Sequence, residues 1–135
     1  MKNQVLSIEQ MCHLMKLGVD ASNASLTWML YLPEENKQPE LTLRKWCTFK
    51  EPFRKEHCAP AFTLQDIIEL LPKEIKTDTD TYWLTISIYD CKEWYICYSM
   101  SDEFDYYKEF KSESLLEATY EMLCWCAENG YLDNK

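Results

Sequence analysis

Glycine is nearly absent from this chain: two residues in 135, Gly18 and Gly130. That scarcity excludes a glycine-rich loop cradling a phosphate and a dinucleotide fingerprint, both of which need several glycines close together. A GxSxG nucleophile elbow is missing as well. Histidine occurs twice, at His13 and His57, and neither has a second imidazole at ligand spacing. The seven cysteines are an odd number with no CxxC pair and no regular framework spacing, so they read as small hydrophobes with free thiols in a reducing compartment. The opening MKNQVLSIEQ has no long apolar run of the signal-peptide kind, and nowhere do roughly eighteen apolar residues follow one another. The expected setting is therefore cytoplasmic, with no membrane contact.

What is present points to a core. Apolar residues make up 47% of the chain and aromatics 14%, at a length that fits one domain over residues 1–135. The net charge of −9 is unevenly placed, with seven acids against three lysines in residues 61–100 and nine against three in 101–135. A field of that sign repels nucleic-acid backbones and anionic membranes and permits a basic protein partner. Among 23 acids no carboxylate pair stands out for hydrolysis. The residues thus predict no catalytic site, cofactor or metal.

Periodicity supplies the elements. Ser7–Leu17 reads as a helix: Ser7 caps it, Gln10 completes a capping box, Leu6 staples onto Met11, and Gly18 stops it. Its apolar arc is Ile8, Met11, Cys12, Leu14 and Met15. Leu26, Trp28, Leu30 and Leu32 alternate with Thr27, Met29 and Tyr31 as a strand, and residues 41–49 read as its hairpin partner. Lys50–Pro60 has no period and reads as a surface loop. Thr63 and Asp66 cap a short helix ended by Pro72. After a polar turn, Lys73–Thr81, the clearest hairpin pairs residues 82–89 with 94–99 around a turn at Asp90–Glu93. Phe104–Phe110 reads as an edge strand protected by its charges. Ser112–Asn129 is the longest helix, stopped by Gly130. The sum is an α+β fold of two layers, an antiparallel sheet of four to five strands with three helices mainly on one face.

Three stretches carry a resemblance: LSIEQMCHLMKLGVD at 6–20, FTLQDIIELLPKEI at 62–75 and LLEATYEMLCWCAENGYL at 115–132. They are similar to a family of small proteins of gut Bacteroides-type bacteria and their phages and mobile elements. The resemblance covers about a third of the chain. It implies a bacterial cytosolic setting and a mobile-element origin, and it brings no activity to any residue. Residues 26–60 lie outside it, which implies a scaffold with variable strands.

Two constellations in the second half are candidates for function. On a wheel of about 100° per residue, Glu113, Glu117, Glu121 and Glu128 line one side of the last helix, with Cys124 among them. They continue an acid run of Asp102, Glu103, Asp105 and Glu109. The stripe reads as a solubilising face, or as a mimic of nucleic-acid phosphate occupying a basic groove. Cys124 and Cys126 point about 200° apart on a helix, so they cannot close on one ion. Cys126 is expected in the core and Cys124 in solvent. His57 and Cys58 point to opposite sides in an extended chain and form no ligand set. The second constellation is aromatic. If Leu84, Ile86 and Ile96 face the helices, Trp83, Tyr89 and Tyr95 lie on the other sheet face, near Trp46 or Tyr31. Either loops cover them or they form a homodimer or partner interface. The residues point to a protein-interaction module; the alternatives are an acidic inhibitor that mimics nucleic acid and a small enzyme whose site is built from distant residues.

Overall fold

Ser7 begins the first helix as its residue type requires. Its hydroxyl accepts the Gln10 backbone N–H at 3.1 Å, and the Gln10 side chain accepts the Ser7 N–H at 2.9 Å. Two backbone donors that a helix start leaves without partners are thereby satisfied. The helix, α1, runs Ile8–Lys16. At its far end Gly18 takes φ +91°, its N–H reaches Met15 O at 3.0 Å, and the Val19 N–H reaches Leu14 O at 3.0 Å. That pair of bonds is a Schellman closure, which needs the positive φ that glycine reaches without strain. Met11 and Leu14 are buried as expected, whereas Met15 is 44% exposed and Cys12 lies at the surface, so the apolar stripe is narrower than the wheel suggests.

The computed structural model describes residues 4–31, 33–89, 92–100 and 106–132. Among the described residues seven strands and four α-helices follow one another as α1, β1 (Leu26–Met29), β2 (Glu40–Thr42), α2 (Phe53–His57), β3 (Cys58–Ala61), α3 (Leu64–Leu70), β4 (Glu74–Lys76), β5 (Thr81–Tyr89), β6 (Glu93–Ser99), β7 (Tyr106–Ser112) and α4 (Leu115–Glu128). The α+β class and the antiparallel pairing hold. The strands divide into two sheets, however, ordered β2-β1-β3 and β4-β5-β6-β7. The chain separates into two compact units, Met1–Asp66 and Ile67–Lys135, with the boundary inside α3.

In the first unit β1 is central. Leu26, Thr27 and Trp28 are all buried, so both of its faces are covered. Val5, Leu26, Trp28 and Ala61 form the core cluster, with Ile8, Leu30, Leu41 and Ala59 packed around it. Polar groups carried inward find partners: the Trp28 indole donates to Leu6 O at 3.0 Å, and the Thr27 hydroxyl to Arg44 O at 2.8 Å. The stretch expected as a loop, Lys50–Pro60, instead forms α2 and most of β3, which pairs with β1 in the register Thr27↔Pro60. Proline is compatible with this position because β3 is an edge strand and one side of it needs no donor.

Asp66 closes this unit. Its carboxylate accepts the Thr63 N–H at 3.0 Å, the Ser25 N–H at 3.0 Å and the Ser25 hydroxyl at 2.6 Å, while Thr63 Oγ1 accepts the Asp66 N–H at 3.1 Å. The expected cap of α3 is therefore present. The same carboxylate also anchors the residue before β1.

The second unit is a meander backed by α4, which packs on β6 and β7. The expected polar turn at Lys73–Thr81 contains β4, three residues paired with β5. The edge strand occupies Tyr106–Ser112; Phe104 and Asp105, with which it was expected to begin, lie outside the described residues, as do Leu32 and the turn residues Asp90 and Cys91. Helix α4 starts at Leu115 under a cap from Ser114, whose hydroxyl accepts the Glu117 N–H at 3.2 Å. It ends on a second Schellman closure: Gly130 at φ +75°, its N–H to Ala127 O at 3.4 Å, and Tyr131 N–H to Cys126 O at 2.9 Å.

Replacing Asp66 by alanine leaves three buried or half-buried donors without an acceptor. The expected cost is about 2–4 kcal/mol, against about 1 kcal/mol for Ser7→Ala at a simple cap. Urea unfolding of both variants measures the difference; equal and small losses would show that the Asp66 bonds contribute no more than an ordinary cap.

Candidate functional site

Cross-strand register assigns the side chains of the second sheet to its two faces. Leu84↔Tyr98, Ile86↔Ile96 and Ile88↔Trp94 share one face, while Trp83↔Ser99, Thr85↔Cys97 and Ser87↔Tyr95 share the other. Helix α4 covers the first face at Tyr98, whose ring centroid lies 6.4 Å from that of Trp125 and whose hydroxyl receives Cys126 Sγ at 3.8 Å. Ile96 and Tyr98 are fully buried there. A 14-residue helix is about 21 Å long, against about 30 Å for the nine residues of β5. Because α4 lies over β6 and β7, the outer part of β5 is left uncovered. Ile86 is 36% exposed and Ile88 48% exposed, although the alternation had placed Ile86 toward the helices.

Trp83, on the opposite face, is 46% exposed, as the aromatic hypothesis requires. Tyr95 shares that face but is half-buried, with the Lys111 ammonium 6.0 Å from its ring centre. Tyr89 is the last residue of β5, and its side chain lies outside the described residues. Between these rings Cys97 and Ser99 are buried, so Trp83 and Tyr95 do not form one continuous exposed aromatic surface. Trp46 and Tyr31, expected beside them, belong to the first unit. There Trp46 carries the Arg54 guanidinium over its ring at 4.6 Å, and its indole N–H is buried with no acceptor among the described residues. Arg44 sits over Phe49 at 4.4 Å, Phe49 stacks on Phe53 at 6.0 Å, and the Phe53 ring lies tilted against His57 at 5.0 Å.

The glutamates of the last helix are exposed at Glu117, Glu121 and Glu128. Glu113 is exposed too, but it precedes the Ser114 cap and is not on the helix. Asp102, Glu103 and Asp105, the acid run expected to lead into the stripe, lie outside the described residues. Cys124 corrects the wheel: it is buried, 8% exposed, rather than solvated. Its thiol is pushed up first by desolvation and further by Glu128 and Glu121, while a hydrogen bond with Tyr120 acts the other way. Cys126 is fully buried and pushed up to about 11, by desolvation above all. Burial likewise raises the Tyr98 phenol far above its ordinary range, and its hydroxyl donates to Pro72 O at 2.8 Å.

An aromatic cluster that periodicity did not reveal joins the sheet to the end of α4. Tyr82 stacks on Tyr107 at 4.8 Å, Tyr107 meets Trp125 edge-on at 5.9 Å, and Tyr131 stacks on Trp125 at 5.2 Å. The Tyr107 and Tyr131 hydroxyls are 2.6 Å apart. The signal was the residue after Gly130: in a Schellman closure that position carries an apolar side chain back onto the last turn.

An open cleft of about 550 Å³ lies at the β4–β5 turn, lined by Lys76, Asp78, Asp80, Trp83 and the threonines between them. Several of its polar groups are engaged in the turn itself, Thr77 with Asp80 through three hydrogen bonds and Thr79 with Asp80 at 3.0 Å. Among the described residues no three His, Cys, Asp or Glu side chains are placed to share a metal ion, and no helix is long and apolar enough to cross a membrane.

Burial sorts the thiols. Iodoacetamide is expected to label the exposed Cys12 and Cys47 first and Cys124 and Cys126 last, read by peptide mass spectrometry; early labelling of Cys124 would contradict its burial. The raised Cys126 pKa also has a direction in pH. Below the ordinary thiol value of 9.0 both folded and unfolded chains hold the proton, so its contribution is complete; between 9.0 and about 11 only the unfolded chain ionises, and stability falls as pH rises. Urea midpoints across that interval are expected to drop, with the buried Tyr98 adding in the same direction. No family model matches the chain, and no curated protein and no solved structure is similar to it.

Proposed function

We propose that this chain acts by binding a protein partner rather than by catalysis. The observation that carries the reading is the uncovered part of β5, where Ile86 and Ile88 are exposed on one side of the sheet and Trp83 on the other. Branched and aromatic side chains exposed on a strand lose free energy in water that a partner's apolar surface recovers, at about 25 cal/mol per Å². The glutamates of α4 and the net charge of −9 favour a partner with Lys and Arg around an apolar anchor. A cytoplasmic setting in bacteria carrying mobile elements agrees with the resemblance of the three stretches at 6–20, 62–75 and 115–132.

The test is capture of partners from such a bacterium by the wild-type chain and by Ile86→Glu/Ile88→Glu, followed by titration of the retained protein. The apolar reading expects the double variant to weaken binding by about tenfold or more, with a shallow dependence on salt. Binding that ignores the isoleucines, falls steeply with salt and is lost in Glu117→Gln/Glu121→Gln would replace it with the phosphate-mimic reading.

A further inference from the structure

The two sheets have four edges, and two of them are poor templates for another strand along their whole length. β2 is three residues long, and β3 is four residues long with Pro60 in it; on the third edge β4 is three residues long and leaves β5 beyond Leu84 without a strand partner on that side among the described residues. Short edges and proline are devices that keep strands from pairing with other chains. β7 differs. It is seven residues long, ends its sheet, and pairs with β6 without interruption from Tyr98↔Lys108 to Trp94↔Ser112, its bulge lying before that run. Its outer side therefore presents a regular row of backbone donors and acceptors from Lys108 to Ser112.

The charges along that row select a partner. In an antiparallel pair, residues directly opposite are either both hydrogen-bonded or both not. A pair of identical strands related by a two-fold axis must consequently centre on a residue, never between two. Centred on Lys108, Lys111 or Glu109, the axis brings Lys108, Lys111 or Glu109 against its own copy, a like-charge contact. Centred on Phe110, it brings Glu109 opposite Lys111 and Lys111 opposite Glu109, with Phe110 facing Phe110. Opposite charges across strands stabilise and like charges destabilise. Glu109 and Lys111 share the face that carries Cys97 and Tyr95, and neither is in an ion pair among the described residues. Phe110 is half-buried on the α4 face. The charges within the row thus repel in the registers centred on a charged residue and attract in the one centred on Phe110.

We propose that β7 pairs antiparallel with β7 of a second copy, centred on Phe110, to give a continuous eight-stranded sheet in a homodimer. This goes beyond the β5 reading and uses a different surface, so each can fail alone. Sedimentation equilibrium of the full chain tests it. The wild type is expected to dimerise. Glu109→Lys sets Lys against Lys and Lys111→Glu sets Glu against Glu, so each single variant is expected to weaken the dimer by about tenfold to a hundredfold. Mixing the two single variants is expected to restore dimers as heterodimers, and Glu109→Lys/Lys111→Glu to restore the homodimer; neither recovery could come from variants that had lost their fold. Ile86→Glu/Ile88→Glu is expected to leave the dimer intact. A wild type that stays monomeric to submillimolar concentration overturns the proposal. So does a dimer that ignores the charge exchanges, or one dissolved by the isoleucine substitutions.

Discussion

The Asp66 carboxylate is the interaction on which the arrangement of the first unit depends. It is 8% exposed and accepts three hydrogen bonds, one from the cap of its own helix and two from Ser25, forty-one residues earlier. A buried carboxylate is costly unless its oxygens find donors, and a backbone N–H is costly unless it finds an acceptor, so each satisfies the other. The consequence is geometric. Ser25 leads directly into β1, the central strand, and β1 sets the register of β2 on one side and β3 on the other. One side chain ties the beginning of the sheet to the beginning of α3.

The second unit is set by where α4 lies across its sheet. Helix α4 packs on β6 and β7, with Cys126 set on the Tyr98 hydroxyl, and leaves part of β5 uncovered. Apolar side chains under the helix disappear from solvent, and those on β5 beyond it do not. Ile96 and Ile86 sit opposite one another in the register, yet one is fully buried and the other 36% exposed. The difference between a core residue and a candidate contact is one strand's displacement from the helix axis.

Much of the local structure was legible because it rests on single residues with narrow conformational roles. Ser7, Thr63, Gly18 and Gly130 each act where their chemistry places them, and the β5–β6 hairpin alternates as read. What was not legible depends on partners distant in sequence. β3 has no alternation of its own and contains Pro60; only pairing with β1 makes CAPA a strand. β4 is three residues that become a strand because β5 lies beside them. Cys124 falls among glutamates on a wheel, but burial of α4 extends round more of its circumference than one apolar stripe. Of the candidate residues, Trp83, Glu117, Glu121 and Glu128 were placed at the surface by alternation and charge alone, whereas Tyr95 is half-buried, with Lys111 of the neighbouring strand near its ring.

Net charge and local charge pull in different directions on association. At −9 the chain repels its copies at long range, but at physiological salt a field of exposed charges decays over about 8 Å. Contact energies are then decided by the side chains that meet. Across the last 35 residues acids outnumber bases, yet from Lys108 to Ser112 there are two lysines and one glutamate. That short basic interval coincides with the regular, unbulged part of β7 and with the half-buried Phe110. An edge whose only purpose was to repel would gain most from uniform charge, in keeping with the acids around it. Alternation of sign instead leaves repulsion in every register centred on a charged residue and removes it in the one centred on Phe110, so the local pattern discriminates between partners where the global charge cannot.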